Sequence, residues 1–202
     1  MQEAKIFTDA DIIGRISAAV LRNGCRIRVL DIGCGPGILT VAIAPLVDEI
    51  LALDLTPEMI ARASSRSEEL GLRNVRFEVG RAEELPFVDG YFDVVVTRLM
   101  LHHLLSPAMA VKEMARVTKN GGLLVVADIV TSEKWTDAKL HNALETLRDP
   151  SHVRALSEPE LDGLLNSGGL KVVDKKDWVS EREFGEGSRS QTRLRGKGPC
   201  LL

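Results

Sequence analysis

The stretch Val29-Leu30-Asp31-Ile32-Gly33-Cys34-Gly35-Pro36-Gly37 limits what this chain can fold into more than any other. Arg26 to Ile32 is short, apolar and β-branched, the pattern of a buried strand. Three glycines in five residues then end it. Glycine tolerates left-handed backbone and lets a ligand approach the main chain closely. Ile38 to Val47 follows as a helix, and the first turn of a helix carries N–H groups with no partner inside the helix. A second acid, Asp54, closes the next strand-like run, Glu49 to Leu55, 17 residues after Gly37.

A strand, a glycine turn, a helix and a distal acid suit two ligands, a dinucleotide or S-adenosylmethionine; an acid at the end of the second strand can accept ribose hydroxyls in either. The spacing is G-x-G-x-G, not the G-x-G-x-x-G of the dinucleotide fingerprint. Asp31 lies two residues before the first glycine, where a carboxylate would repel a pyrophosphate and attract an ammonium or sulfonium. The plainer reading of Asp31 is that it orders the turn by accepting loop N–H groups.

The same unit recurs downstream. Thr56 is placed to cap a helix with Pro57 at its first position, running to Leu70 before Gly71. Val75 to Val79 and Phe92 to Thr97 read as strands. Pro107 to Val117 reads as a helix stopped by Asn120-Gly121-Gly122, and Leu123 to Val130 as a fifth strand. Thr8 to Leu21 reads as a leading helix with Thr8 and Asp11 at its start. Ser132 to Leu147 reads as an extra helix, Ser157-Glu158-Pro159-Glu160 as a capping box, and Leu170 to Asp174 as a sixth strand. Alternating strands and helices with near-continuous apolar strands predict an α/β fold, a doubly wound, mostly parallel sheet covered on both faces. The division predicted is one domain over residues 1–180, with 131–168 covering the substrate, and a basic, flexible tail over 181–202.

Composition narrows the class. With 202 residues, 45% hydrophobic and 27% charged, the chain has ordinary globular make-up. Its 26 basic and 29 acidic residues leave a net charge of −3, which gives no electrostatic reason to expect nucleic acid as a partner. Cys25, Cys34 and Cys200 form no C-x-x-C pair, so neither a cysteine zinc site nor a disulfide framework is expected. No apolar leader and no run long enough to span a bilayer is seen, so a cytoplasmic monomer or homodimer is expected. The ending Pro199-Cys200-Leu201-Leu202 is not a prenylation box.

From about residue 25 to 175 the sequence resembles the class I S-adenosylmethionine-dependent methyltransferases. The resemblance rests on V-L-D-I-G-C-G-P-G together with Asp54-Leu55-Thr56-Pro57-Glu58-Met59, Gly80-Arg81-Ala82-Glu83-Glu84-Leu85-Pro86-Phe87 and Gly90-Tyr91-Phe92-Asp93-Val94-Val95. Leu101-His102-His103 and Glu113-Met114-Ala115-Arg116-Val117 before Gly121-Gly122 extend it. It is most similar to the small-molecule branch that includes the ubiquinone and menaquinone C-methyltransferases. The resemblance implies that Asp31, Gly33, Cys34, Gly35 and Gly37 hold the methionine end, that Asp54 binds the ribose, and that Leu55 packs on the adenine. It also implies that Ala82 and Glu83 meet the adenine edge, and that Thr97 and Arg98 line the methyl-donor side. Arg81 departs from the pattern: many relatives carry an aspartate there, and a guanidinium cannot accept from the adenine amino group. Glu83 substitutes, or the contact is missing.

Methyl transfer from a sulfonium is an in-line displacement on an activated carbon, so positioning carries much of it, and orientation can supply roughly 7–11 kcal/mol. A base is needed only when the acceptor must lose a proton. His102 and His103, after the fourth strand, are the candidates; packing or capping of a short turn is their structural alternative. Arg148 and His152 are candidates for touching substrate, against a plain helix-ending turn at Asp149-Pro150. His141 reads as surface, Cys34 as a small filler, and Glu113 with Arg116 as an ion pair. The expected activity is C- or O-methylation of a small molecule. The rivals are an NAD-dependent oxidoreductase and a cofactor-binding protein without turnover. A full sheet of this family has seven strands, the last antiparallel beside the fifth. The residues after Asp174 do not read as a buried strand, so the seventh is doubtful and the edge of the fifth is expected to be bare or covered by a partner.

Overall fold

The structure, a computed structural model, describes residues 9–21, 27–175 and 200–201. Five parallel strands form the centre of one sheet: β1 (Arg28–Ile32), β2 (Glu49–Asp54), β3 (Val75–Val79), β4 (Phe92–Arg98) and β5 (Thr118–Ala127). Their spatial order is β3-β2-β1-β4-β5, so the chain reverses its direction of winding between β1 and β4. Helices α1 (Asp9–Leu21), α2 (Ile38–Ile43), α3 (Pro57–Glu69) and α4 (Pro107–Val117) fall where the sequence predicts them, although α2 hands over to a 3-10 turn at Ala44–Leu46.

Successive strand residues face opposite sides of a sheet, and both sides here are apolar. Leu30, Ile32, Val95, Leu124 and Val126 pack with Val111 and Met114 of α4. Val29, Ile50, Val94, Val96 and Val125 pack with Ile16 and Val20 of α1 and with Leu39 and Ile43 of α2. This double burial is why the strands read as unbroken apolar runs.

Past β5 the chain crosses over the carboxyl ends of the strands. Val130–Thr131 (β6) pairs in parallel with Leu156–Ser157 (β7). Between them lie α5 (Trp135–Arg148) and the turn after it, and α6 (Glu158–Ser167) follows. The predicted capping box forms: the Ser157 N–H and hydroxyl both donate to Glu160 Oε2, at 2.8 and 3.0 Å. Leu161 and Leu165 of α6 complete the first apolar layer.

Several expectations are corrected. The sixth strand is only Asp174–Lys175 (β8), not Leu170 to Asp174. The doubtful seventh strand is present as Cys200–Leu201 (β9), antiparallel to Val125 and Val126 of β5 on one side and to β8 on the other. The end of the chain therefore does contribute a strand, and that stretch of β5 is not bare. Asn120-Gly121-Gly122 does not stop α4, which ends at Val117; it lies inside β5, whose register against β4 shifts between Phe92 and Val94. Thr56 sits at the start of α3 but makes no side-chain cap. The Thr8 cap and the flexible tail, apart from Cys200–Leu201, lie outside the described residues.

Candidate functional site

All the predicted cofactor residues gather at the carboxyl ends of β1, β2, β3 and β4, beside the point where the winding reverses, which is where open α/β sheets bind ligands. The glycine turn uses the freedom its composition provides. Gly33, Gly35 and Gly37 have φ of 68°, 53° and 79°. A Cβ on Gly33 would overlap the Met100 side chain, and one on Gly37 would lie 2.8 Å from Ala63 Cβ. The turn is tied to β2: the Gly33 and Cys34 N–H groups donate to Leu53 O at 2.8 and 3.1 Å, and the Gly35 N–H donates to Asp54 Oδ2 at 2.8 Å. Asp54 Oδ1 also accepts the Thr56 N–H at 2.9 Å. Asp54 thus holds both loops, while a carboxylate keeps lone pairs for further donors.

Asp31 is buried, and its Oδ2 accepts the Thr40 hydroxyl at 2.6 Å. Burial pushes its carboxyl up to about 6; the Thr40 hydrogen bond and the Arg98 charge oppose that rise, and the Asp54 charge adds to it. Two acids flank the turn, so the site attracts cations and repels phosphate. The plain reading of Asp31, accepting loop N–H groups, is not what its recorded partner shows: it is held by a side chain of α2. Cys34 is buried, and burial with the charges of Asp31 and Asp54 drives its thiol far upward, which makes it inert.

Past the ends of β2 and β3, Leu55 is exposed and Ala82 is buried. Arg81 is exposed with Nη2 3.6 Å from Glu83 Oε1, while Glu83 is mostly buried. At the tip of β4, Thr97 is buried and its Oγ1 has no hydrogen-bond partner. Leu99 then takes φ 55°, a strained value for a side chain of its size, held by its N–H to Ala127 O at 2.7 Å. That kink sets Met100 against Gly33 and opens the 3-10 turn Leu101–His103.

The two adjacent histidines part company there. His102 is buried, with Nδ1 closely hydrogen-bonded to Asp128 Oδ1 and its backbone N–H 3.2 Å from Asp128 Oδ2. Asp128 is itself buried and also accepts the Ile129 N–H at 2.7 Å. His103 faces outward and braces the turn after α5, with Nδ1 3.0 Å from Ser151 O and 3.1 Å from Ser151 Oγ. The turn after α5 is also tied to His102, whose carbonyl accepts the Val153 and Arg154 N–H groups at 2.9 and 3.0 Å.

Beyond the sequence reading, all four histidines of the chain converge here. The His102 ring lies 4.1 Å from that of His103 and 5.4 Å from that of His152, centroid to centroid. His152 is buried; Nε2 lies 2.8 Å from Asn142 Oδ1, and Nδ1 has no partner. Burial, then the His102 charge, holds its imidazole below the ordinary value. His141 is not a surface residue: its side chain is 11% exposed, with Nδ1 3.1 Å from Thr131 Oγ1. Arg148 places Nε and Nη2 on Glu145 Oε2 at 2.9 and 2.6 Å, neutralising a buried carboxylate. Asp128, Thr40, Asn142 and Glu145 were missed by sequence reasoning. For Asp128 a signal existed, since an acid ending a parallel strand sits where ligands bind.

The methyltransferase-domain family matches residues 30–126. The uncharacterized methyltransferase YcgJ of Bacillus subtilis is 37% identical over 179 residues, covering 88% of this chain and 70% of that protein. The chain belongs to the S-adenosylmethionine-dependent methyltransferases. The crystal structure of YcgJ superposes on this methyltransferase with a TM-score of 0.81 at 31% identity, over 94% of this chain and 93% of that one. The [4+2]-cyclase SpnF has the same fold, with a TM-score of 0.68 at 27% identity over 81% of this chain and 60% of that one. The O-methyltransferase cnsE of Penicillium expansum is 29% identical over 151 residues, 74% of this chain and 54% of that protein.

The residues present fit S-adenosylmethionine: a glycine turn open to backbone approach, two acids for a cationic ligand, and an unpartnered buried hydroxyl at Thr97. Among the described residues no group of three or more histidines, cysteines and acids is arranged to hold a metal, and no helix is long and apolar enough to cross a membrane.

Proposed function

We propose that this methyltransferase acts on a small molecule, at carbon or oxygen, in the cytoplasm, and that residues 131–168 form the cover over the acceptor. The observation that carries the reading is the polar cluster of buried His102, Asp128 and His152 with Asn142 of α5. There the turn bearing His102 is roofed by His152, Val153 and Arg154, which favours an acceptor small enough to be surrounded. S-adenosylmethionine supplies an electrophilic methyl group whose bonding pair can leave with sulfur.

In this reading Asp31 pairs with the ammonium of the cofactor, and the turn of Gly33, Cys34, Gly35 and Gly37 accommodates its methionine end. Asp54 accepts from the ribose hydroxyls, and Leu55 and Ala82 flank the adenine. Glu83, paired with Arg81, offers the acceptor that Arg81 cannot. Thr97 and Arg98 line the methyl-donor side. His102 is the group able to take a proton from the acceptor, with His103 bracing the cover. His152 faces the acceptor, and Arg148 serves it indirectly through Glu145. The test is turnover of radiolabelled methyl donor over hydroquinones, phenols and small acids. Labelled product is expected from at least one class, and its absence from all of them counts against the reading. SpnF favours a second reading, a cofactor-binding protein whose reaction is not methyl transfer; tight S-adenosylhomocysteine binding without any methylated product would select it.

A further inference from the structure

Two imidazoles in the cluster have their tautomers fixed by their neighbours. The Asp128 carboxylate accepts from His102 Nδ1, so the lone pair of the neutral ring is on Nε2. Asn142 has its amide orientation set: Oδ1 accepts the Ala155 N–H at 2.7 Å and Nδ2 donates to Ala138 O at 2.9 Å. Asn142 Oδ1 can then only accept from His152 Nε2, which leaves the second lone pair on the buried, unpartnered His152 Nδ1. The charged groups facing these rings are Asp128 at the end of β5, Asp149 beside His103 on the covering turn, and Glu145 with His141 on α5. Burial favours the uncharged form of His152, and His103 spends its Nδ1 on Ser151.

A buried imidazole nitrogen whose lone pair has no donor is satisfied by a ligand that brings the hydrogen, and an acid-backed imidazole is a base oriented for one proton. We infer that His102 and Asp128 form a general-base pair, with Asp128 the positioning residue, and that the acceptor is a weakly acidic hydroxyl compound, a phenol or enol, whose O–H is received by His102 Nε2 with His152 Nδ1 beside it. This rests on the methyltransferase reading and deepens it. The proton passes from oxygen to Nε2. The freed electron pair, on oxygen or on the carbon conjugated with it, makes the new bond to the methyl carbon as the C–S bond breaks, and sulfur keeps that pair. The imidazolium then returns its proton to water.

The test uses 4-nitrophenol and 4-nitrocatechol, whose anions are coloured, titrated into the full chain saturated with S-adenosylhomocysteine; 4-nitrobenzylamine is the control. Bound nitrophenol is expected to ionise about tenfold more readily than free nitrophenol, an apparent pKa about one unit lower. Asp128→Asn and His102→Gln should abolish that shift while S-adenosylhomocysteine affinity stays within about twofold, which also shows that the variants fold. No binding of either phenol, a shift that survives in Asp128→Asn, or capture of the amine in place of the phenols would each overturn the inference. Failure of S-adenosylhomocysteine to bind the unaltered chain would instead overturn the methyltransferase site itself.

Discussion

At the scale of single residues, the decisive one is Asp31, a carboxylate placed where it is costly. Its folded pKa, about 6, stands above the value of about 3.9 for an unfolded chain. The sign follows: the folded protein holds this proton more tightly, so ionised Asp31 opposes folding above pH 6, and the penalty fades as pH falls from 6 toward 4. The shift corresponds to roughly 2–3 kcal/mol. Asp31→Asn, which can still accept the Thr40 hydroxyl, should raise the stability of the ligand-free protein at pH 7.5 by about 1–3 kcal/mol in urea unfolding and flatten its pH dependence between 4 and 6. The same substitution should weaken S-adenosylhomocysteine binding at least about tenfold, because a neutral amide loses the ammonium. For the unaltered chain, affinity should be level above about pH 6 and fall below it; a profile flat to pH 5 would remove Asp31 from the cationic end of the ligand. Asp31, Asp54 and the glycines were legible because each sits in a local pattern of strand, turn and acid. Asp128 carried the signal of an acid ending a strand, but its pairing with His102, like that of Asn142 with His152, was not legible: the partners lie 26 and 10 residues away in sequence, and a single sequence does not show which polar side chains will meet.

At the scale of elements, Arg116 of α4 shows how a helix secures a loop near the site. The i,i+3 pair with Glu113 foreseen in the sequence is present, with Nη2 2.7 Å from Glu113 Oε2. The same guanidinium also donates to Phe87 O at 2.7 Å, Leu85 O at 3.0 Å and Asp89 Oδ1 at 2.8 Å, and Glu113 accepts the Leu85 N–H. One helix side chain thus fastens the segment that follows Ala82 and Glu83. Arg116→Lys keeps the charge but loses the fork and should cost about 1–2 kcal/mol in stability, more than an exposed ion pair would. Equal stability of the lysine variant would mean the loop is held otherwise. Ser157→Ala, which removes one side of the capping box of α6, should cost about 1 kcal/mol. Helix positions were readable from periodicity and capping residues. The strand ends were not: β8 has two residues rather than five because its pairing is set by β9, which is remote in sequence.

At the scale of the whole molecule, five parallel strands with apolar faces were foreseeable from the alternation of β-branched runs and amphipathic helices. Closure of the edge by Cys200–Leu201 was not, since two residues carry no period. Ending the chain after Pro199 should uncover the β5 edge at Val125 and Val126, lower Tm by about 2–4 °C per kcal/mol lost, and increase self-association in light scattering; an unchanged Tm would show that the pairing adds nothing. The larger design separates two tasks. In the proposed reading, the carboxyl ends of β1 and β2 form an acidic cradle for the cationic cofactor, and the imidazoles gathered by the ends of β4 and β5 and the turn after α5 serve the acceptor. The central claim is that the first of these is an S-adenosylmethionine site built on Asp54 and the glycine turn. Isothermal titration of the full chain with S-adenosylhomocysteine tests it most directly, with NAD as the comparison and Asp54→Ala as the variant. The account predicts saturable one-to-one binding of S-adenosylhomocysteine, none of NAD, and a loss of about 1–3 kcal/mol in the variant. Binding of NAD in its place, or an affinity for S-adenosylhomocysteine untouched by Asp54→Ala, would contradict it.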